Sequence, residues 1–189
     1  MNKADLPDQI RQLCGVLNAL NRRLAAEHDL QPVHLDVLRY LARCNRYSNT
    51  PAAIGQYLQT TKGTVSQTIN LLERNGFVAK LADANDRRVV RLKLLNKGTR
   101  LLKALDENNV VEQAADRLDS SSRNSFQKTV AELLRAAQQI NEHRPFGQCH
   151  TCRFFLRPSK GKYQCGVTGE SLSEADSELI CVEHEYSHS

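Results

Sequence analysis

The feature that most constrains this chain is a pair of short helical patterns, joined by a tight turn, within residues 50–76. Thr50 is an N-cap residue followed by a proline at the first helical position, where helices tolerate proline. Thr60 or Thr61 caps the second helix, and Gly76 marks its end. Two helices at this spacing are what a helix-turn-helix requires.

Two short strand patterns follow the second helix, with a turn between them. Phe77 and Val78 begin the first strand, and apolar residues alternate with polar ones between Val90 and Leu94 in the second. The sequence Asp-Ala-Asn-Asp at 83–86 favours a turn. A two-stranded ribbon directly after a helix-turn-helix is a wing, so the sequence predicts a winged helix-turn-helix.

Helical patterns also lie on both sides of this segment. The apolar stripes Ile10–Leu24 and Phe126–Ile140 recur at helical spacing, and each stripe needs a partner to cover it. We therefore expect a homodimer built by the terminal helices. The flanking helices are predicted over 6–27, from Pro32 to about Asn45, over 99–118 and over 122–143, with Gly98 closing the wing.

Positive charge is concentrated around the predicted wing. Residues 60–105 carry ten basic and three acidic residues, whereas the whole chain has a net charge of +5. A focused basic stretch suits a polyanionic partner, and the alternative is a solvated basic face. The chain contains no run of 18 apolar residues, and its first residues lack the apolar core of a signal peptide, so we expect a cytoplasmic protein without a membrane span.

The second helix of the pair has an apolar and a polar side. Val65, Ile69 and Leu72 point inward on a helical wheel. Ser, Gln and Asn side chains on the opposite side can exchange hydrogen bonds with base edges in a major groove, while Lys62 and Thr64 suit phosphates. The alternative is an ordinary amphipathic helix with a solvated side. The polar side consists of Gly63, Ser66, Gln67, Asn70 and Arg74.

The wing adds a second candidate contact with DNA. Arg87 and Arg88 lie at the tip of the predicted hairpin, where an arginine can enter a narrow minor groove. A nearby aspartate can hold a ribbon arginine by pairing with it. The candidate DNA-binding residues are Lys62, Thr64, Ser66, Gln67, Asn70, Arg74, Arg87 and Arg88.

These residues resemble the signature of the MarR family of transcription regulators, and the resemblance covers roughly residues 6–143. It departs at Asn96, where the family usually has threonine. The resemblance implies a dimer whose two recognition helices enter successive major grooves of a pseudo-palindromic operator, with the wings in the flanking minor grooves. It also implies a repressor that a small-molecule or redox effector releases. The matching runs are Gly63-Thr64-Val65-Ser66, Leu72-Glu73-Arg74-Asn75-Gly76-Phe77-Val78, Asp83, Asp86-Arg87-Arg88, Leu92-Lys93-Leu94 and Gly98.

Four cysteines lie in the last part of the chain, at Cys149, Cys152, Cys165 and Cys181. The opening C-x₂-C is typical of a metal knuckle, and four thiolates suit tetrahedral zinc or an iron–sulfur cluster. We expect zinc, with an iron–sulfur cluster as the alternative. Without an export signal, disulfides are disfavoured, and free cysteines in a loose tail are the other alternative. His184 could replace one cysteine, whereas His150 is expected to face outward.

The predicted fold class is mainly α with a small β wing: a winged helix-turn-helix with dimerising terminal helices, plus a small cysteine-rich metal knuckle. Pro145-Phe146-Gly147 marks the boundary between the two units. We expect a MarR-like winged helix domain for DNA binding and dimerisation over residues 1–145. A cysteine-rich metal-binding tail follows over 146–189.

No catalytic constellation is found in the sequence, so we predict that the protein is not an enzyme. A metalloenzyme centred on the tail is disfavoured because four cysteines would fill the coordination shell. The alternative function is a metal- or redox-binding signalling module in which DNA binding is secondary. Cys14 could be a redox sensor supported by His34, but a buried, inert role is expected for it, and Cys44 is expected to be structural.

Overall fold

The computed structural model describes residues 5–84, 86–107, 109–140 and 145–186. In the described ranges, four helices precede a two-stranded ribbon, and three more helices lie between the ribbon and the tail. The helices are α1 (Leu6–Ala26), α2 (Pro32–Arg43), α3 (Pro51–Tyr57), α4 (Lys62–Arg74), α5 (Asn96–Glu107), α6 (Val110–Ala115), α7 (Ser120–Ile140) and α8 (Glu174–Ser177). The strands are β1 (Val78–Ala82), β2 (Val90–Leu94), β3 (Gly147–Gln148), β4 (Phe155–Ser159), β5 (Lys162–Cys165), β6 (Ser171–Leu172) and β7 (Ile180–Cys181).

Local capping chemistry sets the limits of α3 and α4. The Thr50 hydroxyl accepts a hydrogen bond from the backbone N–H of Ala53 at 3.2 Å, and the Thr61 hydroxyl accepts one from Thr64 at 3.2 Å. Thr61, rather than Thr60, is therefore the cap of α4. Gly76 follows that helix with φ +74°, a conformation that glycine adopts without steric cost. The predicted helix-turn-helix is confirmed.

Strands β1 and β2 form the predicted wing. They pair antiparallel, from Val78 opposite Leu94 to Ala82 opposite Val90. Beyond the paired residues, the backbone N–H of Asp83 donates to the carbonyl of Val89 at 3.0 Å. This bond closes the hairpin, whose tip carries the two arginines singled out from the sequence.

The core of the winged helix lies where α2, α3, α4 and the wing meet. Leu35, Leu38, Ile54 and Leu72 have no exposed surface, and the rest of the cluster is nearly as buried. Burial of each such side chain contributes about 1.5–3 kcal/mol relative to exposure. This core fixes the direction in which α4 presents its polar side.

The prediction of one helix over 99–118 is wrong, because the chain forms α5 and α6 there with a break between them. Asn109 begins the second helix, since its side-chain oxygen accepts from the backbone N–H groups of Val111 and Glu112. Gly98 also lies inside α5 instead of closing the wing. A Cβ at Gly98 would stand 2.6 Å from Leu94 and 2.9 Å from the carbonyl of Phe77, so this position requires glycine for close packing.

The long terminal helices leave their apolar stripes uncovered in the single chain. Leu13 is 50% exposed on α1, and Phe126 and Leu134 are 55% and 50% exposed on α7. Within the described part of the chain, no helix has both the length and the apolar character needed to cross a membrane. The stripes are therefore candidates for contact with another protein surface.

The tail folds as small sheets around the cysteines and packs against the winged helix. Strand β4 pairs with β5, β5 pairs with β6, and β3 pairs with β7. Ile180 and Val182 are 5% exposed each and belong to the same hydrophobic cluster as the core of the winged helix. The tail thus shares a core with the preceding domain, which the sequence did not predict.

Candidate DNA-binding surface and cysteine cavity

Helix α4 separates its residues as the wheel predicts. Val65, Ile69 and Leu72 are buried, and Thr68 is buried beside them. The core therefore holds one side of the helix, and the other side is free to meet a partner. Its exposed residues are Lys62, Gly63, Thr64, Ser66, Gln67, Asn70 and Arg74.

On α4, two of the candidate DNA-binding side chains are already engaged within the protein. The Asn70 carboxamide oxygen accepts a hydrogen bond from Lys80 Nζ at 2.6 Å, and the Thr64 hydroxyl lies 3.0 Å from that of Thr61. Lys80 also pairs with Glu73 at 2.7 Å. Lys80, on β1, places a positive charge beside α4, and the sequence analysis did not single it out. The excess of basic residues over 60–105 was the one sequence feature that pointed to it.

The tip of the wing presents both predicted arginines to solvent. Arg87 is exposed, and the Arg88 side chain is 92% exposed while it contacts both carboxylate oxygens of Asp86 at 3.1 and 3.2 Å. The prediction that an aspartate pairs with a ribbon arginine is confirmed for this pair. The Arg88 pair constrains the tip, while the exposed Arg87 side chain is positioned to project away from the core.

The base of the wing is fastened by Arg91, which the sequence reasoning did not single out. Its guanidinium donates to Asp83 at 2.6 Å and to the backbone carbonyls of Arg46 and Tyr47 at 3.1 and 2.9 Å. It also donates to the Asn49 side chain at 3.2 Å. The alternation of residues along β2 gave no signal for this role, because the partners other than Asp83 lie in the connection between α2 and α3, far away in the sequence.

All four predicted metal ligands line one cavity. Its volume is about 90 Å³, well below the roughly 300–1,000 Å³ of sites for drug-sized ligands. None of the four cysteines forms a disulfide with another described residue. Two side chains from the winged helix domain, Asn45 and Tyr47, complete part of the wall. The thiols that line the cavity are those of Cys149, Cys152, Cys165 and Cys181.

The cavity does not hold its thiols in a finished coordination sphere. Within the described ranges, no group of three or more His, Cys, Asp or Glu side chains has the arrangement that would hold a metal ion. The described structure therefore gathers the four predicted ligands without showing a metal knuckle.

The environment of two thiols differs in a way that bears on metal binding. Burial, followed by the negative charge of the neighbouring cysteines, raises the pKa of Cys149 to about 12. Burial also raises the pKa of Cys165, but hydrogen bonds from Thr168 and Val167 outweigh burial and hold its pKa below the usual value. Cys165 is therefore the easier of the two to deprotonate.

His150 and His184, the histidines in the described part of the tail, are turned to other partners. His184 is 1% exposed, its Nε2 lies 2.8 Å from the Thr151 hydroxyl, and its ring meets Tyr186 edge-on. His150 Nδ1 lies 3.1 Å from the carbonyl of Ser177. Neither ring lines the cysteine cavity. His184 thus supports the fold of the tail in this structure.

The two remaining cysteines lie outside the cavity. Cys14 is exposed on α1, so the expectation of a buried residue is wrong for the single chain. His34 is buried, and its Nδ1 accepts the backbone N–H of Gln31 at 3.0 Å, so it is the N3 residue of a capping box whose N-cap is Gln31. Cys44 is half-buried, and burial raises its pKa to about 11, which fits a structural role.

This arrangement defines a winged helix-turn-helix fold with long terminal helices. Residues 28–89 match the family model described as MarR family, which supports the resemblance stated from the sequence. The match covers about a third of the chain and lies on the helix-turn-helix and the wing. A search of curated protein sequences found no match to this chain.

Solved structures from three organisms share the fold. MepR of S. aureus in a complex with DNA is 19% identical with a TM-score of 0.61, and the match covers 73% of this chain and 100% of MepR. A MarR transcriptional regulator from Methanosarcina mazei Go1 is 20% identical with a TM-score of 0.61, covering 71% and 97%. Streptococcus pneumoniae FabT in complex with DNA is 23% identical with a TM-score of 0.56, covering 72% and 99%. More than a quarter of this chain lies outside each of these matches.

Proposed function

We propose that this protein is a dimeric, sequence-specific DNA-binding transcription regulator that represses at a pseudo-palindromic operator. The observation that carries the proposal is the exposed polar side of α4, opposite a buried apolar side and followed in the chain by a wing whose tip carries two exposed arginines. Such a helix can read base edges while Lys62 and the wing contact phosphates and the minor groove. MepR and FabT, whose folds are similar, were solved with DNA.

A dimer is part of the proposal. The exposed stripes on α1 and α7 are apolar, and exposed apolar surface of this kind marks protein–protein contacts. Two-fold symmetry would place two copies of α4 on two half-sites, which is the geometry that a palindrome requires. Sedimentation at micromolar concentration should give a dimer, and a stable monomer would contradict this part of the proposal.

An effector that releases the repressor also belongs to the proposal. A cavity of about 380 Å³ lies between α1, α2 and the α5–α6 connection, with apolar residues such as Leu17, Leu24 and Leu105 in its wall and Arg39 as a cation. This volume and lining suit a small organic ligand. The ligand would lie between the α1 stripe and the winged helix core, where it could change their relative positions.

The test of DNA binding begins with a duplex selected from a randomised pool by repeated binding to the wild-type protein. Fluorescence anisotropy then compares the wild type with Arg87→Ala and with Arg117→Ala, which removes the same charge between α6 and α7. Arg87→Ala should lower affinity by about 1–3 kcal/mol, while Arg117→Ala leaves it unchanged. Equal affinities for the wild type and Arg87→Ala would exclude the wing contact.

Repression itself is tested on a template that carries the selected site between the elements of a promoter. The wild-type protein should reduce transcript in vitro, and the Arg87→Ala variant should reduce it less at the same concentration. Binding of the duplex without sequence preference would favour the alternative, a signalling module in which DNA binding is secondary.

We also propose that the four cavity cysteines bind one metal centre, with zinc preferred over an iron–sulfur cluster. The convergence of all four thiols on one small cavity supports this, as do the hydrogen bonds that lower the pKa of Cys165. Four thiolates at about 2.3 Å from zinc would satisfy a tetrahedral site. The metal would add a second source of stability to a short segment that otherwise relies on the core of the winged helix.

Metal analysis with an absorption spectrum of protein purified anaerobically tests this second proposal. One zinc per chain and no visible absorbance are expected, whereas visible absorbance would indicate the iron–sulfur alternative. Protein that carries no metal and takes up no added Zn²⁺ would refute the proposal.

A further inference from the structure

The connection between α2 and α3, residues 44–49, lies between the cysteine cavity and the wing, and we call it the α2–α3 turn. On one side it supplies Asn45 and Tyr47 to the cavity wall. Its own shape is fixed by the Asn45 side chain, which accepts the backbone N–H groups of Tyr47 and Ser48 at 3.1 and 3.0 Å. Tyr40 donates to the carbonyl of Ser48 at 2.8 Å. The turn is therefore a single packed unit.

The tail is hydrogen-bonded to this turn on both sides of Cys181. The backbone N–H of Asn45 donates to the carbonyl of Ile180 at 2.9 Å, and the backbone N–H of Val182 donates to the Ser48 hydroxyl at 3.1 Å. Ile180 and Val182 flank Cys181 and are both buried. A displacement of Cys181 would therefore move bonds to both ends of the turn.

A second set of contacts with the turn comes from the residues that follow Cys165 in the sequence. The Tyr47 hydroxyl donates to Glu170 Oε2 at 2.5 Å and lies 3.4 Å from the Thr168 hydroxyl. Arg46 forms an ion pair with the same carboxylate. Thr168 is also the residue that donates hydrogen bonds to the Cys165 thiolate. The loop that stabilises one proposed metal ligand is thus bonded directly to the turn.

The opposite side of the turn holds the base of the wing. Arg91 donates to the carbonyls of Arg46 and Tyr47, and the backbone N–H of Leu92 donates to the carbonyl of Asn49 at 2.8 Å. Arg91 also pairs with Asp83, whose backbone closes the hairpin. The Arg91 and Asp83 side chains are 24% and 16% exposed, so solvent screens this pair less than a surface pair.

We propose that the α2–α3 turn transmits the metal state of the cysteine cavity to the wing, so that binding of Zn²⁺ orders the wing and strengthens DNA binding. This inference rests on the proposed function for its DNA step, but its structural step does not. Zinc would coordinate Cys165 and Cys181 in one tetrahedral site. This would fix the positions of the two segments that are hydrogen-bonded to the turn. The turn then offers Arg91 and Leu92 a fixed set of carbonyl acceptors.

The gain in DNA affinity comes from pre-organisation, because a wing that is already ordered loses less conformational entropy when it enters a groove. Couplings between two sites in proteins typically amount to about 5- to 150-fold in affinity. The tail also touches α7, where Tyr186 donates to Gln138 at 3.2 Å. That contact would couple the tail to the proposed dimer interface and not to the wing. Coupling through α7 and coupling through the α2–α3 turn therefore predict different responses to Zn²⁺.

The structural step is tested by hydrogen exchange in the full-length protein, with Zn²⁺ alone as the added ligand and a chelator for removal. The backbone N–H groups of Asp83 and Leu92 should exchange at least about fivefold more slowly with Zn²⁺ than without it, because their acceptors are held in place. Equal rates in both states, with one Zn²⁺ bound per chain, would overturn the proposal. Failure to bind Zn²⁺ would overturn it as well.

The DNA step compares the affinity of the zinc-loaded and stripped protein for the selected duplex. The wild type should bind at least about fivefold more tightly when loaded. Glu170→Ala removes one set of contacts between the tail and the turn. It should reduce the difference in DNA affinity between the zinc-loaded and stripped protein, while Zn²⁺ still binds. Glu174→Ala, an exposed acidic residue of α8, is the matched control and should keep it. A zinc effect that persists in full in Glu170→Ala, and in a second variant, Arg91→Gln, would overturn the route through the turn.

These outcomes separate the two proposals. Affinity for the duplex that is equal in the loaded and stripped states would overturn the coupling and leave the proposed regulator standing. Slower exchange of the wing amides with Zn²⁺, in a protein that binds no duplex, would support the structural step and refute the proposed function.

Discussion

The winged helix and the cysteine-rich tail place their candidate functional groups in opposite directions. Helix α4 and the wing tip turn polar and basic side chains outward from a well-packed core. The tail turns its four thiols inward onto a cavity that Phe154, Phe155 and Leu172 also line. The first region can fold around its core and then meet a partner, whereas the second, by our proposal, folds around a metal ion.

The two regions obtain their stability in different ways. The winged helix has a cluster of fully buried aliphatic side chains. The described part of the tail has two buried aliphatic side chains, Ile180 and Val182, and both belong to the hydrophobic cluster of the winged helix core. The tail therefore depends on the neighbouring domain on one side and, by our proposal, on a metal on the other. Variants that remove one of these two supports at a time test whether the tail depends on both.

The largest effect is expected for metal affinity. Cys165→Ser should weaken Zn²⁺ binding by more than about 100-fold, because loss of an outer-shell partner alone typically costs 10- to 100-fold and this change removes a ligand. Cys14→Ser, on α1 and outside the cavity, is the control and should bind Zn²⁺ like the wild type. Competition with a chromophoric chelator measures both. Similar affinity of Cys165→Ser and the wild type would remove Cys165 from the ligand set.

A large loss of stability is expected when the shared core is disturbed. Ile180→Ala should lower the free energy of unfolding by about 2–5 kcal/mol, since it leaves a cavity between the tail and the winged helix. Val167→Ala removes an apolar residue that is 60% exposed and should change stability little. Urea unfolding at one protein concentration, followed by helical circular dichroism, measures the difference.

The same experiment shows whether the two regions unfold together. Because Ile180 belongs to the cluster that also holds Leu38 and Leu72, the helical signal itself should shift to lower urea in Ile180→Ala. A helical transition that stays at the wild-type urea concentration would mean that the tail adds nothing to the stability of the winged helix. The conclusion that the tail and the winged helix stabilise each other through a shared core would then be wrong.

The winged helix was predictable because its signals are local. The caps Thr50 and Thr61, the positive-φ position at Gly76 and the apolar side of α4 are each decided within a few residues of sequence. The break before α6 was not predicted, since the helical periodicity continues through it and the cap formed by Asn109 was overlooked.

The remaining features depend on contacts between distant segments. The spacing of the cysteines predicted a common site, and the structure brings all four to one cavity, but the spacing gave no information on what else surrounds them. Arg91 and Lys80 acquire their roles from the α2–α3 turn and from α4, respectively. Ile180 and Val182 flank a cysteine without any periodicity that would mark them as core residues. Pair contacts of this kind cannot be read from one sequence.

A smaller effect separates the reading of bases from the holding of phosphates on α4. Gln67→Ala should reduce discrimination between the selected duplex and one with a changed base pair by about 1–3 kcal/mol. Lys62→Ala should weaken binding to both duplexes equally and lower the slope of log affinity against log salt by about one. Anisotropy titrations at several salt concentrations measure both. A uniform loss of affinity in Gln67→Ala would contradict its contact with base edges.

The smallest effect concerns His34, which is part of the scaffold that both regions share. Burial lowers its pKa from 6.5, and its Nδ1 accepts the backbone N–H of Gln31, so the folded protein keeps this ring neutral. The unfolded chain takes up a proton near pH 6.5 that the folded chain resists. The free energy of unfolding should therefore fall as the pH drops below about 6.5, because the unfolded state binds more protons there.

His34→Asn isolates this contribution, since an asparagine side chain retains an acceptor for Gln31 and does not titrate. Urea unfolding of chelator-treated protein at about pH 7.5 and about pH 5.5 should show a smaller loss of stability in His34→Asn than in the wild type. His184, whose pKa burial also lowers, is present in both proteins, so its contribution cancels in the comparison. Equal losses in the two proteins would show that His34 takes up its proton as readily in the folded chain as in the unfolded chain. The capping bond to Gln31 would then have to survive protonation, which a doubly protonated imidazole cannot allow.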